Sequence, residues 1–356
     1  MTVPSSPAVF SYGPQEAKGT LATEFYRHKA ARVDAGPQQM IQQFPPEIGG
    51  GFHPTGAFKM MAFGAGQAIL NPRLADVIGW LMYAAVGQAS DVPATPEAGM
   101  TRHVFSPPAL YSDMKWMSVR REIPGATGSG DNVGEIIKDC RCVGWRLQAA
   151  PGAIVNSAFT FVGREPFLSG IGVDTWTYEN TYESYVSVPL AHQGSLKLGG
   201  AEQPATNLVV DIVNQYTNPR EELIIGSPFP DDFILQQQVL SFTWTYKWRN
   251  PTLYQAIVDG ANVEADGLID WSPVVHTDSF EFDVYSPGNA TGQTSPWRLD
   301  IYAPECTWQA AGPPELVGGG WLSLQFTGVA QEGATPPDTF QVWLENTTAE
   351  YDWPAP

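Results

Sequence analysis

Leu240-Ser241-Phe242-Thr243-Trp244-Thr245-Tyr246-Lys247-Trp248 alternates large apolar side chains with small or polar ones at a period of two. An extended strand puts every second residue on one face, so this stretch predicts a strand with one buried face and one open face. The pattern recurs on both sides of it. Phe280, Phe282 and Val284 alternate with Glu281, Asp283 and Tyr285, and Pro287-Gly288-Asn289 supplies a turn. Trp297, Leu299 and Ile301 then resume against Arg298, Asp300 and Tyr302, which makes a hairpin with an apolar and a polar face. Phe340, Val342 and Leu344 close the chain in the same style, and Phe58, Met60 and Ala62 open it in the first half.

Helical signals are few. Asn71 has the chemistry of an N-cap, Pro72 suits a first helical position and Gly87 suits a terminator. Between them Leu74, Val77, Ile78, Leu81, Met82, Ala85 and Val86 share one face. A shorter counterpart runs from Asn250-Pro251 through Leu253, Ala256 and Ile257 to Gly260. Each helix signal is followed in the same order by a cysteine, a tryptophan, an Ala-Ala turn and a closing strand. The first set is Cys142, Trp145, Ala149-Ala150 and 159–163; the second is Cys306, Trp308, Ala310-Ala311 and 324–328. That order predicts a duplication. The boundary falls near Gly170 and Gly172, giving units 1–170 and 171–356 that pack closely, with no charged or Ser-rich linker between them.

The 35 Gly and 31 Pro, with 16% charged residues, favour turn-rich β architecture. No apolar run has the length of a membrane span, and the first residues show no basic and apolar leader, so a soluble chain is expected. The net charge is −18; after Arg249 the only Lys or Arg is Arg298, against fifteen Asp and Glu. Nucleic-acid binders carry the opposite balance, because they neutralise phosphates. An acidic solubilising surface, or an acidic wall that a polyanion passes without sticking, fits instead.

No catalytic constellation emerges, and no catalytic, metal or cofactor residue is assigned. The five histidines have no metal-ligand spacing and Gly-x-Ser-x-Gly is absent. Residues 125–131 lack the Gly-Lys-Ser/Thr of a phosphate loop, and Gly49-Gly50-Gly51 is explained by a turn. Cys140 and Cys142, expected on opposite strand faces, and Cys306 are expected to be buried free thiols. Asp231-Asp232 and the twelve tryptophans admit a glycosidase or glycan platform, but solvated carboxylates and core packing account for them. The sequons at Asn289 and Asn346 carry no weight without a secretion signal.

Taken together, the order of elements over residues 51–163, repeated more faintly over 250–330, resembles the tail tube proteins of long-tailed bacteriophages (siphophages), here in a tandem-domain form. The resemblance rests on the strand around Pro54-Thr55-Gly56, the helix Asn71–Gly87, His103-Val104-Phe105, the strand Met114–Val119, Cys140–Trp145 and the strand Phe159–Gly163. It implies a mainly β fold of two tail-tube-like sandwich or barrel domains, each with a flanking helix. It also implies a structural virion protein rather than an enzyme, without cofactor or membrane partner. The family joins domains edge to edge into rings of six; two domains per chain then imply three chains per ring. Rings stack into the conduit for genome delivery, with tape measure protein and DNA in an acidic lumen, and terminator and tail-tip proteins at the ends. Loop 125–132 and an N-terminal arm (1–20) are the expected stacking elements. The alternatives are another ring-forming or decorating virion protein, such as a tail terminator or baseplate protein, and a carbohydrate-binding sandwich.

Overall fold

A computed structural model describes residues 8–43, 56–75, 77–93, 99–125, 132–169, 176–181, 184–248, 252–259, 275–290, 292–311, 322–332 and 339–354. The remaining positions lie outside the described residues. They include Gly49–Thr55, residues 126–131 of the expected stacking loop, Asn250 and Gly260, and Gly170 and Gly172 of the expected boundary.

The chain is mainly β, as expected, and every ladder among the described residues is antiparallel. In the first half β1 (Val9–Pro14) pairs with β2 (Tyr26–His28) and with β8 (Met117–Ile123). The ladder continues through β9 (Val133–Ala149), β10 (Asn156–Ser169) and β5 (Ala57–Leu70) to β3 (Ala30–Val33) and β4 (Gly36–Gln43). In the second half β11 (Ser195–Leu198), flanked by the two-residue β12 (Ala201–Glu202), pairs with β15 (Thr277–Asn289). From there the ladder passes through β16 (Pro296–Ala310), β17 (Ser323–Ala330) and β14 (Leu235–Lys247) to β13 (Ala205–Tyr216). The same succession of pairings therefore occurs twice, with a helix after β5 and after β14. Residue matches do not follow: Gly163 faces Cys140, whereas Gly328 faces Trp308.

Two features bind the halves. Two bulges bend β9, one at Lys138-Asp139 opposite β8 and one at Val143 opposite β10. Its 144–149 end thereby leaves β8 and pairs with β13, Leu208 facing Ala149 and Ile212 facing Trp145. Asp139 takes a left-handed φ of 55°. Its carboxylate accepts from Gln15 Nε2 (2.9 Å), Gly19 N (2.7 Å) and Arg164 (2.9 Å). Within the chain, residues 9–20 of the N-terminal arm are thus sheet and anchor. In addition, β18 (Gln341–Asn346) inserts between β16 and β7 (Thr101–Ser106), itself paired with β6 (Gln88–Pro93).

The first helix, α1, spans Ile78–Val86, shorter than expected and without Asn71 as its cap. The preceding donors have tertiary partners: Leu74 N donates to Ser187 O and Arg73 N to His28 Nε2. Gly87, at φ 122°, ends the helix as expected. Nearly every side of α1 is buried, so it is a core helix. Asn214 Nδ2 donates to Ala85 O (2.8 Å) and Gln238 Nε2 to Val86 O (3.0 Å), so second-half side chains satisfy its orphan carbonyls. The second helix, α2, spans Thr252–Asp259, with Ile257 buried. Gly64 and Gly163 face each other beneath Ile137, and a Cβ on either would collide with it.

Candidate functional site: the open sheet face and its free edges

The groups with reactive chemistry are structural in this fold. All three cysteines are free and buried. Cys140 and Cys142 face the same side, toward Gly163 and Phe161, because residues two apart on a strand share a face; the expectation of opposite faces fails. Burial pushes the Cys142 and Cys306 thiols up to about 12 and raises Cys140 as well, so thiolate chemistry is suppressed. His28 is buried and pushed down to about 4, chiefly by desolvation, which keeps it neutral. Asp231 and Asp232 lie 3.7 and 3.3 Å from Lys18. Asn346 is fully buried, donating to Tyr351 Oη, and is no glycan acceptor. Trp145 and Trp308 are core residues stacked with Phe159 and Phe242, and Trp244 is a core residue tilted against Phe326. Among the described residues no group of three His, Cys, Asp or Glu is placed to hold a metal ion.

What the fold builds instead is one continuous sheet across both halves: β5, β10, β9, β13, β14, β17 and the end of β16. The register shows the continuity. One row runs Ile69, Ala158, Arg146, Asp211, Ser241, Val329, Thr307 across seven strands. In the alternate phase Leu240, Phe242, Trp244 and Tyr246 are buried, as their sequence predicts, and α1 packs on that side against β9 and β13. The row phase stays open: Arg146, Val213 and Val329 are exposed and Thr243 and Thr245 half-exposed. Its charges are sparse, and Arg146 donates to both Asp211 oxygens at 2.6 and 3.1 Å. Burial on one side only is what an alternating strand gives.

The edges of this sheet are unequal. β13, at the middle, has both edges paired, to β14 and to β9. Its counterpart in the first circuit, β4, pairs among the described residues with β5 alone. The counterpart of the β9 end is the end of β16, which beyond Trp308 pairs with β17 alone among the described residues. Ile41 on β4 and Phe58 and Met60 beside it are exposed. An unpaired edge flanked by apolar side chains is a template for another chain. Sequence patterns missed these edges, because alternation marks a strand but not which of its edges is occupied.

No described helix is long and apolar enough to cross a membrane. A comparison with curated proteins finds no match. A comparison with protein families matches residues 13–319, most of the chain, to the phage tail tube protein family. That family is structural rather than enzymatic, it assembles tubes and its members are components of the virion tail. The chain belongs to the phage tail tube protein family.

Proposed function

We propose that three copies of this chain close into a ring by repeating, between chains, the junction that β9 and β13 make within one. The end of β16 in one copy would pair antiparallel with β4 of the next. The observation that carries this is the repeated circuit with one junction made and its counterpart open among the described residues. Each chain then supplies two tail-tube units, 1–170 and 171–356, exchanging β7 and β18 where they meet. Closure removes both open edges, which otherwise invite uncontrolled association. Rings stacked on one another form the tail tube, the conduit through which the genome leaves the capsid for the host. A tape measure protein occupies it during assembly, and terminator and tip proteins close its ends.

Electron microscopy of the purified chain over a concentration series tests this reading. Hollow tubes or stacked rings with a central channel are expected. Single rings that never stack would favour a tail terminator or baseplate protein, and monomers at every concentration would overturn assembly through these edges.

A further inference from the structure

The open face of the continuous sheet carries almost none of the charge of the chain. Across residues 65–70, 144–149, 156–162 and 306–310 together with β13, β14 and β17, the charged residues are Arg146, Asp211 and Lys247. Only one of the 37 acidic residues is among them, and it is held by Arg146. The remaining open positions include Gln148, Ser241, Thr243, Thr245, Gln325 and Thr327, which offer hydroxyls and amides. Buried side chains and α1 thicken the opposite side. In a ring joined through sheet edges, the thicker layer takes the longer outer circumference, so the open face turns inward.

On the basis of the assembly proposed above, we infer that the channel wall is a near-neutral surface of hydroxyls and amides, past which a duplex polyanion slides without being held or repelled by fixed charge. The expectation of an acidic lumen, drawn from the net charge of −18, does not hold for this face. A second layer sits about 10 Å behind a sheet. The Debye length is about 8 Å at physiological salt, so acids beyond that layer are largely screened from the channel. Without an array of cations the wall releases few counterions and has little affinity for phosphates. Without an array of anions it also raises no barrier to their entry. Hydroxyl and amide groups exchange hydrogen bonds with water, so the polyanion keeps its hydration as it passes.

Thiol labelling tests both the orientation and the charge of this wall. Thr243→Cys and Gln325→Cys each place one thiol on the open face, and Ala349→Cys places one at an exposed position two residues before Tyr351, which packs on Gly79 and Trp80 of α1; the native thiols are all buried. Tubes of each variant are treated with a bulky polyethylene-glycol maleimide. They are then treated with a cationic trimethylammonium or an anionic sulfonate methanethiosulfonate at low salt. The bulky reagent is expected to label Ala349→Cys and spare the two face variants. The cation-to-anion rate ratio in tubes is expected to lie within about twofold of that in the unassembled chain. A potential of one kT would change it roughly sevenfold, since the reagents differ by two unit charges. A sevenfold cationic preference at both positions would overturn the neutral wall. Face variants labelled by the bulky reagent as fast as Ala349→Cys would overturn its inward orientation. If wild-type chain forms no tubes, the assembly reading fails first and this inference falls with it.

Discussion

Deletion of residues 341–356 is expected to leave no folded protein. β18 is the bridge between β16 and β7, and its loss opens an edge on each. The segment also buries Val342, Leu344, Tyr351 and Trp353. Tyr351 and Trp353 meet Trp80 edge-on at 5.3 and 5.8 Å, and Trp353 Nε1 donates to Gln15 O at 2.9 Å. At about 1.5–3 kcal/mol for each large apolar side chain, four of them represent roughly 6–12 kcal/mol. That compares with a total stability of about 5–15 kcal/mol for a typical protein. Expression followed by sedimentation and circular dichroism checks this. The truncated chain should be insoluble or lack a cooperative melt, and a soluble chain with native melting would show that the C-terminal segment is dispensable.

Phe242→Ala should produce the largest loss from a single side chain. Phe242 is fully buried at the centre of the second circuit, 3.7 Å from the Phe280 ring centroid and 5.9 Å from that of Trp308. Truncating such a phenylalanine typically costs about 3–5 kcal/mol, because a cavity remains beside rings that cannot collapse into it. Phe242→Leu keeps most of the volume and should cost less than half as much. Urea unfolding of the unassembled chain measures both. The midpoint should fall with little change of slope, and an alanine variant within 1 kcal/mol of wild type, well under the usual cost of such a truncation, would show that the stack contributes little.

Much of the fold was legible because a strand between core and water must alternate. Residues 240–247 and the alternation along β15 and β16 follow their sequence pattern, but the expected turn at Pro287-Gly288-Asn289 is strand, and the chain reverses between Asn289 and Pro296. The start of α1 was misread for a physical reason: Asn71-Pro72 has cap chemistry, but the neighbouring backbone donors find partners on Ser187 and His28. Pairings such as Val342 with Phe105 and Ile212 with Trp145 join residues far apart in the chain, and no local pattern encodes them. The duplicated order was visible as order only. The apparent match of Cys142 with Cys306 does not survive the register, since Cys142 faces Phe161 and Cys306 faces Ala330. Net charge was the least informative clue to the open face, because it sums every surface and says nothing of where each acid sits.

The pairing circuit repeated within one chain is the central claim, and the symmetry of the assembled ring tests it most directly. A tube reconstruction by electron cryo-microscopy, computed without imposed symmetry, should show three chains per ring. The end of β16 in each should be hydrogen-bonded to β4 of the next, and six similar sheet units should surround the channel. Six chains in a ring, or neighbours joined through any edge other than β4 and β16, would contradict it.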